Sequence, residues 1–237
     1  MSITANQTIR ELARTIPGSA RVFEEYGIDY CCGGGRNLQE VCAERQLSPE
    51  RVLQALSAVS EQSTPDEVDW NRRPLFALID HILETHHATV RREVPRLRAL
   101  IGKMCEAHGS KRPEFVAVRE LIQDLGSELE GHIEKEEVVL FPYISSLESA
   151  LESGAPLPHS CFVSVRNPIA MMVKEHDDAG GLLERIQARL VNRTGCATCL
   201  EFFRTFDEFE ADLHRHIHLE NNILFPRAVE LEQRVDE

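Results

Sequence analysis

The pattern of hydrophobic and polar residues predicts four long amphipathic helices in the second part of the chain. Apolar residues recur every three or four positions over residues 74–104, 114–141, 167–191 and 198–230, which is the period of a helix with one buried face. At roughly 1.5 Å per residue each helix would be about 35 to 45 Å long. Four such helices in succession predict an antiparallel four-helix bundle.

Prolines refine the predicted boundaries of these helices. Pro95 falls inside the first long segment and should kink that helix or force a local adjustment. A Phe-Pro pair at Pro142 closes the second segment, and the same pair recurs at Pro226. Because proline disfavours a helical residue before it, the second helix is predicted to end at this pair. The stretch 145–166 that follows is rich in Ser, Gly and Pro and is predicted to be a long connection.

The first sixty or so residues have a different pattern, which predicts short helices. Thr8 and Glu11 have the spacing of a capping box ahead of an apolar position. Asn37 can cap the run LQEVCAERQ, and Ser48 with Pro49 supplies a cap and a first-turn proline.

A polar stretch, EQSTPDEVD, separates the two patterns and has the composition of a linker. Strand-like alternation bounded by turn residues does not occur in the sequence. The fold class is therefore predicted to be all-α, with a small helical domain over 1–64 and a four-helix bundle domain over 65–237.

One sequence frame occurs twice in the bundle. HIEKEEVVLFP begins at His132 and HIHLENNILFP begins at His216. Each frame places a glutamate, Glu136 or Glu220, four residues after its histidine, and residues four apart lie on one face of a helix. The apolar residues that follow each pair are expected to pack in the bundle: Val139, Leu140, Phe141, Ile223, Leu224 and Phe225. Glu134 and Glu137 are expected to face solvent or to lie just outside the pair.

The other two long helices also repeat each other. When His87 is aligned with His176, both segments carry apolar or small residues three, seven, ten and fourteen positions later. Apolar periodicity alone slightly favours His86 as the inward residue, whereas the repeat favours His87, which we take. The remaining histidines are expected beside the site, at the surface or in connections: His81, His86, His108, His159, His214 and His218.

One histidine from each helix and two glutamates make a ligand set of nitrogen and oxygen without thiolate. Such a set suits a pair of iron or manganese ions better than structural zinc, which cysteine and histidine usually hold. For a single His-Glu pair, a solvated helix face or a hydrogen-bonded pair would be the favoured explanation. Two pairs in register with two further histidines favour the metal, because buried ionisable groups are costly unless paired or metal-bound.

Charge and hydropathy exclude some classes of function. The formal net charge of −13 argues against a nucleic-acid binder, which would need a basic face for phosphates. The sequence has no apolar run near the roughly 20 residues that span a bilayer, and its N-terminus lacks the pattern of a secretory signal. We therefore expect no membrane partner and a cytoplasmic protein.

The seven cysteines are an odd number without the dense spacing of a disulfide scaffold, so reduced thiols are expected. Cys31 and Cys32 precede three glycines, 33–35, whose backbone amides can approach a ligand closely. This pair is the candidate for redox, metal-transfer or nitrosylation chemistry, with a buried pair at a tight turn as the alternative. Cys196 and Cys199 have redox-motif spacing, but a packing role is favoured. The others carry no signal: Cys42, Cys105 and Cys161.

Four motifs together resemble a known family. EHDDAG around His176, LENNILFPRA after His218, the two H-I-x-x-E frames and DYCCGGG from Asp29 are similar to the iron-sulfur cluster repair di-iron proteins, also called repair of iron centres. The resemblance covers nearly the whole chain in the right order. The departures are the segment GAPLPHSCFVSV and the third glycine after the cysteine pair.

The resemblance implies a hemerythrin-like bundle with a non-haem di-iron centre, and a part in the recovery of iron-sulfur enzymes damaged by nitric oxide or peroxide. It also implies that the centre reacts with nitric oxide and that its two glutamates bridge the irons. The ligands that it implies are His87, His132, Glu136, His176, His216 and Glu220.

Three functions remain open from the sequence. The first is a di-iron protein that acts on damaged iron-sulfur proteins, by supplying iron, by removing nitric oxide, or both. The second is a reversible carrier or sensor of oxygen or nitric oxide. The third is a bundle held by redox-silent zinc or manganese. A homodimer that brings the cysteine loop of one chain near a bundle is a further hypothesis.

Overall fold

The computed structural model describes residues 3–31, 33–62, 68–156 and 158–236. Within those ranges the regular structure is helical, apart from one isolated antiparallel bridge between Thr8 and Asn37. The all-α prediction is confirmed. In the same ranges, no helix combines the length and hydropathy that a membrane crossing requires. Cys32, most of the predicted linker and the predicted domain boundary at 64/65 lie outside the described residues.

Four short helices form the N-terminal unit. Two predicted caps are confirmed: Thr8 and Glu11 make a reciprocal capping box, and the Asn37 side chain accepts from the Glu40 amide at 2.8 Å. The helices enclose their own apolar core, which includes Phe23 and Leu56. Their bounds are α1 (Ile9–Thr15), α2 (Ser19–Glu25), α3 (Leu38–Arg45) and α4 (Pro49–Gln62).

In the described residues the bundle contains four long continuous helices, which we call rods, and three of them are interrupted by a π-helical turn. A π turn carries an extra residue, and such turns occur frequently at functional sites. The α-helical stretches are α5 (Leu75–His81), α6 (Ala88–His108), α7 (Glu114–Lys135), α8 (Phe141–Ser153), α9 (Arg166–Gln187), α10 (Ala197–His218) and α11 (Phe225–Asp236). The π turns are Ile82–His87 between α5 and α6, Glu136–Leu140 between α7 and α8, and Leu219–Leu224 between α10 and α11.

The prediction that the second helix ends at Phe141-Pro142 is wrong. The helix continues through the π turn into α8, which runs to Ser153 and is capped by Gly154 in the left-handed conformation, with φ of 68°. Pro142 lies in the first turn of α8, where its missing N–H costs nothing. The connection to α9 is correspondingly shorter than predicted. Pro95 also lies within a helix, since α6 continues past it.

Two apolar clusters fill the bundle, and their order along the chain shows that the helices alternate in direction. The first cluster contains buried residues of α6, of most of α7, of the second half of α9 and of most of α10. The second contains α5, the end of the α7–α8 rod, the start of α9 and α11. Successive rods therefore run from the second cluster to the first and then back again. This is an up-down-up-down bundle, as the sequence predicts.

Gly126 of α7 permits close contact with α6, and this contact yields a stability prediction. A Cβ at Gly126 would lie 2.6 Å from Val94 Cγ1 and 2.6 Å from Arg98 Nη2. We expect Gly126→Ala to lower the free energy of unfolding by about 1 to 3 kcal/mol, because overpacking strains a close-packed core. Gly131 on the same helix has no atom within 4 Å of its virtual Cβ. Gly131→Ala is the control and should stabilise by about 0.5 to 1 kcal/mol through helix propensity. Urea denaturation checks both; equal effects of the two substitutions would contradict the packing argument.

Candidate metal centre

The six predicted ligand residues lie in the layer between the two apolar clusters. All six are at most 2% exposed, namely His87, His132, Glu136, His176, His216 and Glu220. On each rod the ligand position falls where the buried residues change from one cluster to the other. His87, Glu136 and Glu220 lie in the π turns themselves. The extra residue of each turn therefore coincides with the polar layer.

The donor atoms of these residues form two groups of four. One group consists of His87, His216 and the two glutamates, and the other of His132, His176 and the same two glutamates; within each group the donor atoms lie within 4.8 Å of one another. Glu136 and Glu220 belong to both groups. Two carboxylates shared between two pairs of imidazoles are the arrangement expected of two neighbouring metal ions with bridging carboxylates.

Several buried polar atoms of this layer have no hydrogen-bond partner among the described residues, although imidazole and carboxylate atoms lie at ion-pair distances of 3.1 to 3.4 Å. Both Glu136 carboxylate oxygens, Glu220 Oε2, His87 Nε2 and His216 Nδ1 make no hydrogen bond. His87 Nε2 is 3.4 Å from Glu136 Oε2, which is ion-pair distance without hydrogen-bond alignment. Buried polar atoms without partners are costly. A cation bound among them would satisfy these atoms, so the residues fit a metal.

The two imidazoles of the second group give independent support for a cation. His132 Nδ1 is 2.9 Å from Glu175 Oε2, and His176 Nδ1 is 2.9 Å from Asn221 Oδ1. Each Nδ1 therefore carries its proton, and the two Nε2 atoms, which are 3.0 Å apart, would both present lone pairs in neutral rings. Two facing lone pairs repel unless a proton or a metal cation lies between them.

The electrostatics of the layer attract positive charge. Burial alone would lower the pKa of His132, but the carboxylate of Glu136 raises it to about 9. Burial would raise the pKa of Glu220, yet His216 and His176 hold it well below its usual value. The carboxylates thus stay ionised, and a proton occupies the second group when no metal does. Metal binding to this group must displace that proton.

Acidic and amide side chains that each adjoin a candidate ligand in the sequence orient three of the four histidines through Nδ1. Glu137 Oε1 accepts from His87 Nδ1 at 2.7 Å, and Arg91 Nη2 binds the other oxygen of Glu137 at 2.7 Å. Glu175 has the same relation to His132, with Lys135 as its cation. Such partners fix the ring orientation and tautomer of a ligating histidine.

Glu137 was expected either to face solvent or to lie just outside the His-Glu pair, and the roles of Glu175 and Asn221 were not predicted. Both missed residues adjoin a candidate ligand in the chain, since Glu175 precedes His176 and Asn221 follows Glu220. Glu175, however, serves His132 on another helix, and sequence adjacency does not show which histidine a carboxylate will reach.

The other histidines near the layer have partners of their own. His86 is buried, bonds Asp212 Oδ1 through Nδ1 at 3.0 Å and stacks parallel to His216 with ring centroids 5.6 Å apart. His81 stacks on Trp70, and His218 Nδ1 is 2.8 Å from Asn222 Nδ2. Val139, which was expected to pack, is 38% exposed, so that prediction is wrong.

The cysteine loop, which is the segment that contains Cys31, contacts the bundle next to the polar layer of the same chain. The Cys31 side chain is buried among the residues of the first bundle cluster. Its carbonyl accepts from Asn221 Nδ2 at 3.4 Å, and Asn221 in turn holds His176. One amide side chain therefore joins the loop to a candidate ligand. Contact between loop and bundle needs no second chain.

Among the described residues, one cavity adjoins the layer and a larger cleft lies near it. A cleft of about 840 Å³ lies between the cysteine loop, α9 and α10 and includes Asp29, Cys31, Asp177 and His214 among its lining residues. A smaller cavity of about 190 Å³ is lined by His132 and His176 themselves, with Glu175 and Lys135 among the other residues. The smaller cavity has room for a ligand of a few atoms beside the second donor group.

Comparison with known proteins agrees with this architecture. The family model for the hemerythrin HHE cation binding domain matches residues 78–228, and the model for a domain of unknown function (DUF542), ScdA_N, matches residues 5–60. Iron-sulfur cluster repair protein YtfE from Citrobacter koseri is 36% identical over 228 residues, which cover 94% of this chain and 97% of that protein. The chain belongs to the iron-sulfur cluster repair proteins.

Further relatives carry the same name. The YtfE protein of Escherichia coli O157:H7 is 36% identical and that of Shigella boydii serotype 4 is 35% identical, each over 94% of this chain and 97% of the relative. The family resemblance inferred from the motifs is confirmed. In this repair protein the polar layer lies within the matched cation-binding domain, which agrees with a metal-binding function for the bundle.

Proposed function

We propose that this chain is a di-iron protein that restores iron-sulfur clusters damaged by nitrosative or oxidative stress. The observation that carries the proposal is the pair of four-residue donor groups sharing Glu136 and Glu220. His87 and His216 would hold one iron, and His132 and His176 the other. When bound, such irons supply redox chemistry and exchangeable positions for a small ligand.

The protein residues around the irons have separate roles in this proposal. Glu137, Glu175 and Asn221 orient the histidines through Nδ1. The apolar clusters on both sides exclude water from the layer. The small cavity beside His132 and His176 would admit nitric oxide or oxygen. The substrates would be damaged iron-sulfur proteins, as the name of the relatives says of them.

The cysteine loop would act beside the centre. Asp29 Oδ1 accepts from the Cys31 amide at 3.0 Å and lies 3.3 Å from its sulfur. We propose Cys31, which lines the large cleft, together with Cys32 as the thiols that handle iron or nitric oxide. The predicted division into a helical domain over 1–64 and a bundle over 65–237 would then place thiols and donors on different domains.

The test is anaerobic purification with iron quantification, followed by addition to an iron-sulfur enzyme, such as aconitase, inactivated by nitric oxide. We expect two irons per chain and recovery of the enzyme activity. Glu136→Gln should abolish recovery, and Glu134→Gln, an exposed neighbour on the same helix, is the matched control. Absence of iron would refute the proposal. Reversible, stoichiometric binding of nitric oxide without recovery would favour the carrier or sensor instead.

A further inference from the structure

A second cluster of reactive side chains lies at one end of the bundle, away from the donor layer. His108 ends α6, and Cys196 and Cys199 open α10. His108 is 21 residues from His87 along its rod, roughly 30 Å at 1.5 Å per residue. His108 Nε2 lies 3.3 Å from Cys196 Sγ, and Cys196 Sγ lies 3.6 Å from Cys199 Sγ. The family site and its proposed chemistry use none of these residues.

The two cysteines differ in a way that suits thiol–disulfide exchange. Cys196 is the N-cap residue of α10 and is exposed, whereas Cys199, one turn further on, is 1% exposed. An exposed sulfur can meet a disulfide in solution, and a buried neighbour can reach only the first sulfur. The sequence alone predicts a packing role for the pair. The buried position of Cys199 agrees with packing, but the exposed Cys196 and its contact with His108 were not expected.

The backbone before Cys196 allows the two cysteine side chains to lie close together. A Cβ at Gly195 would lie 2.7 Å from Cys199 Cβ and 2.8 Å from its sulfur, so glycine is what allows the buried thiol to pack under the turn. Arg112 holds the preceding loop through its bonds to the carbonyl oxygens of Asn192 at 2.6 Å and Thr194 at 2.8 Å. The sulfur atoms are thereby held close together without being bonded.

The surrounding groups activate one thiol and not the other. His108, together with the Cys199 and Thr198 amides and the Cys199 thiol, lowers the pKa of Cys196 to about 6. Burial raises the pKa of Cys199, with Arg112 acting in the opposite direction. An exposed thiol with a lowered pKa is suited to attack a disulfide, and a buried thiol beside it is suited to resolve the mixed disulfide.

We propose that Cys196 and Cys199 form a reversible dithiol–disulfide site that exchanges with low-molecular-weight disulfides. The Cys196 thiolate attacks one sulfur of the disulfide RS–SR, forms a mixed disulfide and releases one RS⁻. Cys199 then loses its proton and attacks the Cys196 sulfur, which releases the second RS⁻ and forms the Cys196–Cys199 bond. The two released thiolates take up the two protons that the cysteine pair gives up. The protein dithiol is oxidised by two electrons, and RS–SR is reduced to two RSH.

The test uses the full-length, iron-loaded chain equilibrated with mixtures of glutathione and glutathione disulfide. After acid quenching and alkylation, trypsin releases Thr194–Arg204, whose cysteines are Cys196 and Cys199 alone. As the share of glutathione disulfide rises, we expect this peptide to change from the doubly alkylated form to the disulfide form. The disulfide form carries no alkyl group and is two hydrogen atoms lighter than the reduced, unalkylated peptide. In Cys199→Ser the same peptide should instead carry one glutathione. The exposed Cys161, which trypsin releases in a different peptide, is the internal control and should form only a mixed disulfide.

The role of His108 has its own measurement. At pH 7 we expect Cys196 to be alkylated about 10-fold faster than Cys161, because the thiolate is the nucleophile. The half-maximal rate of Cys196 should fall near pH 6, and His108→Asn should move it upward. A change of structure alone would not shift this pH profile.

Three results would overturn the proposal. One is a peptide that stays doubly alkylated at every glutathione ratio. Another is a wild-type peptide that carries glutathione as the Cys199→Ser peptide does, which would show that Cys199 does not resolve. The third is protection of both thiols in the purified protein by a metal ion that a chelator removes, which would assign the cluster to metal binding.

Discussion

Glu136→Gln and Glu220→Gln are each expected to remove both irons from the centre, leaving near-zero iron per chain. Each glutamate belongs to both donor groups, so either substitution takes an anionic donor from both ions at once. Loss of a hydrogen-bonding partner outside the ligand set typically weakens metal binding by about 10- to 100-fold, and loss of a shared ligand should exceed that. Iron quantification after anaerobic reconstitution is the measurement.

Single histidine substitutions provide the comparison for this prediction. His87→Gln should weaken binding at the group that it shares with His216, and His176→Gln at the group that it shares with His132. Each should therefore retain more iron than either glutamate variant. If Glu136→Gln kept two irons per chain, the glutamate would not be shared. If all four variants lost iron equally, the two groups would not be separable sites.

Asn222→Ala is expected to release the cysteine loop from the bundle. Asn222 is 1% exposed and contacts Arg10 Nε at 2.9 Å, the Tyr30 carbonyl oxygen at 2.9 Å and His218 Nδ1 at 2.8 Å. Alanine would leave these groups without their partner, at a cost of about 1 to 3 kcal/mol for each that stays buried. A loss of about 3 kcal/mol in docking would speed alkylation of the buried Cys31 by roughly 100-fold.

The measurement is the alkylation rate of Cys31 in a Cys32→Ser background, together with the free energy of unfolding. Asn71→Ala is the matched control, since Asn71 Nδ2 also joins the two parts of the chain, by donating to the Arg14 carbonyl at 3.0 Å, but Asn71 is exposed. The control should change both quantities little. An unchanged Cys31 rate in Asn222→Ala would show that the loop is held by its apolar contacts instead.

Local sequence rules predict the local parts of this fold well. The caps at Thr8 and Asn37 follow from hydrogen bonds within four residues, and the bundle rods follow from apolar periodicity. The predicted helix end at Pro142 is wrong because the rule that proline disfavours a preceding helical residue takes only those two residues into account. It does not consider that a π turn allows the rod to restart with proline in its first turn.

The candidate site likewise has a part that local spacing predicts and a part that depends on tertiary contacts. Spacing within two repeated frames is enough to name residues whose donor atoms the structure brings together. The groups that orient those residues come from elsewhere in the chain: Glu175 lies 43 positions after His132, and Asn221 lies 45 positions after His176. Pairings of this kind depend on which rods become neighbours, and a single sequence does not contain that information in any local pattern.

The π turns also change the rotational phase of the rods. Counting three and four positions from the buried Glu136 reaches Val139 and Leu140, yet Leu140 is 1% exposed and Val139 is 38% exposed. The extra residue rotates everything beyond it, so the two ends of a rod bury faces that no single helical wheel describes. Three of the four rods are in effect two helices of different phase stacked on a common axis, with the plane of the donors as the joint between them, whereas α9 keeps a single phase.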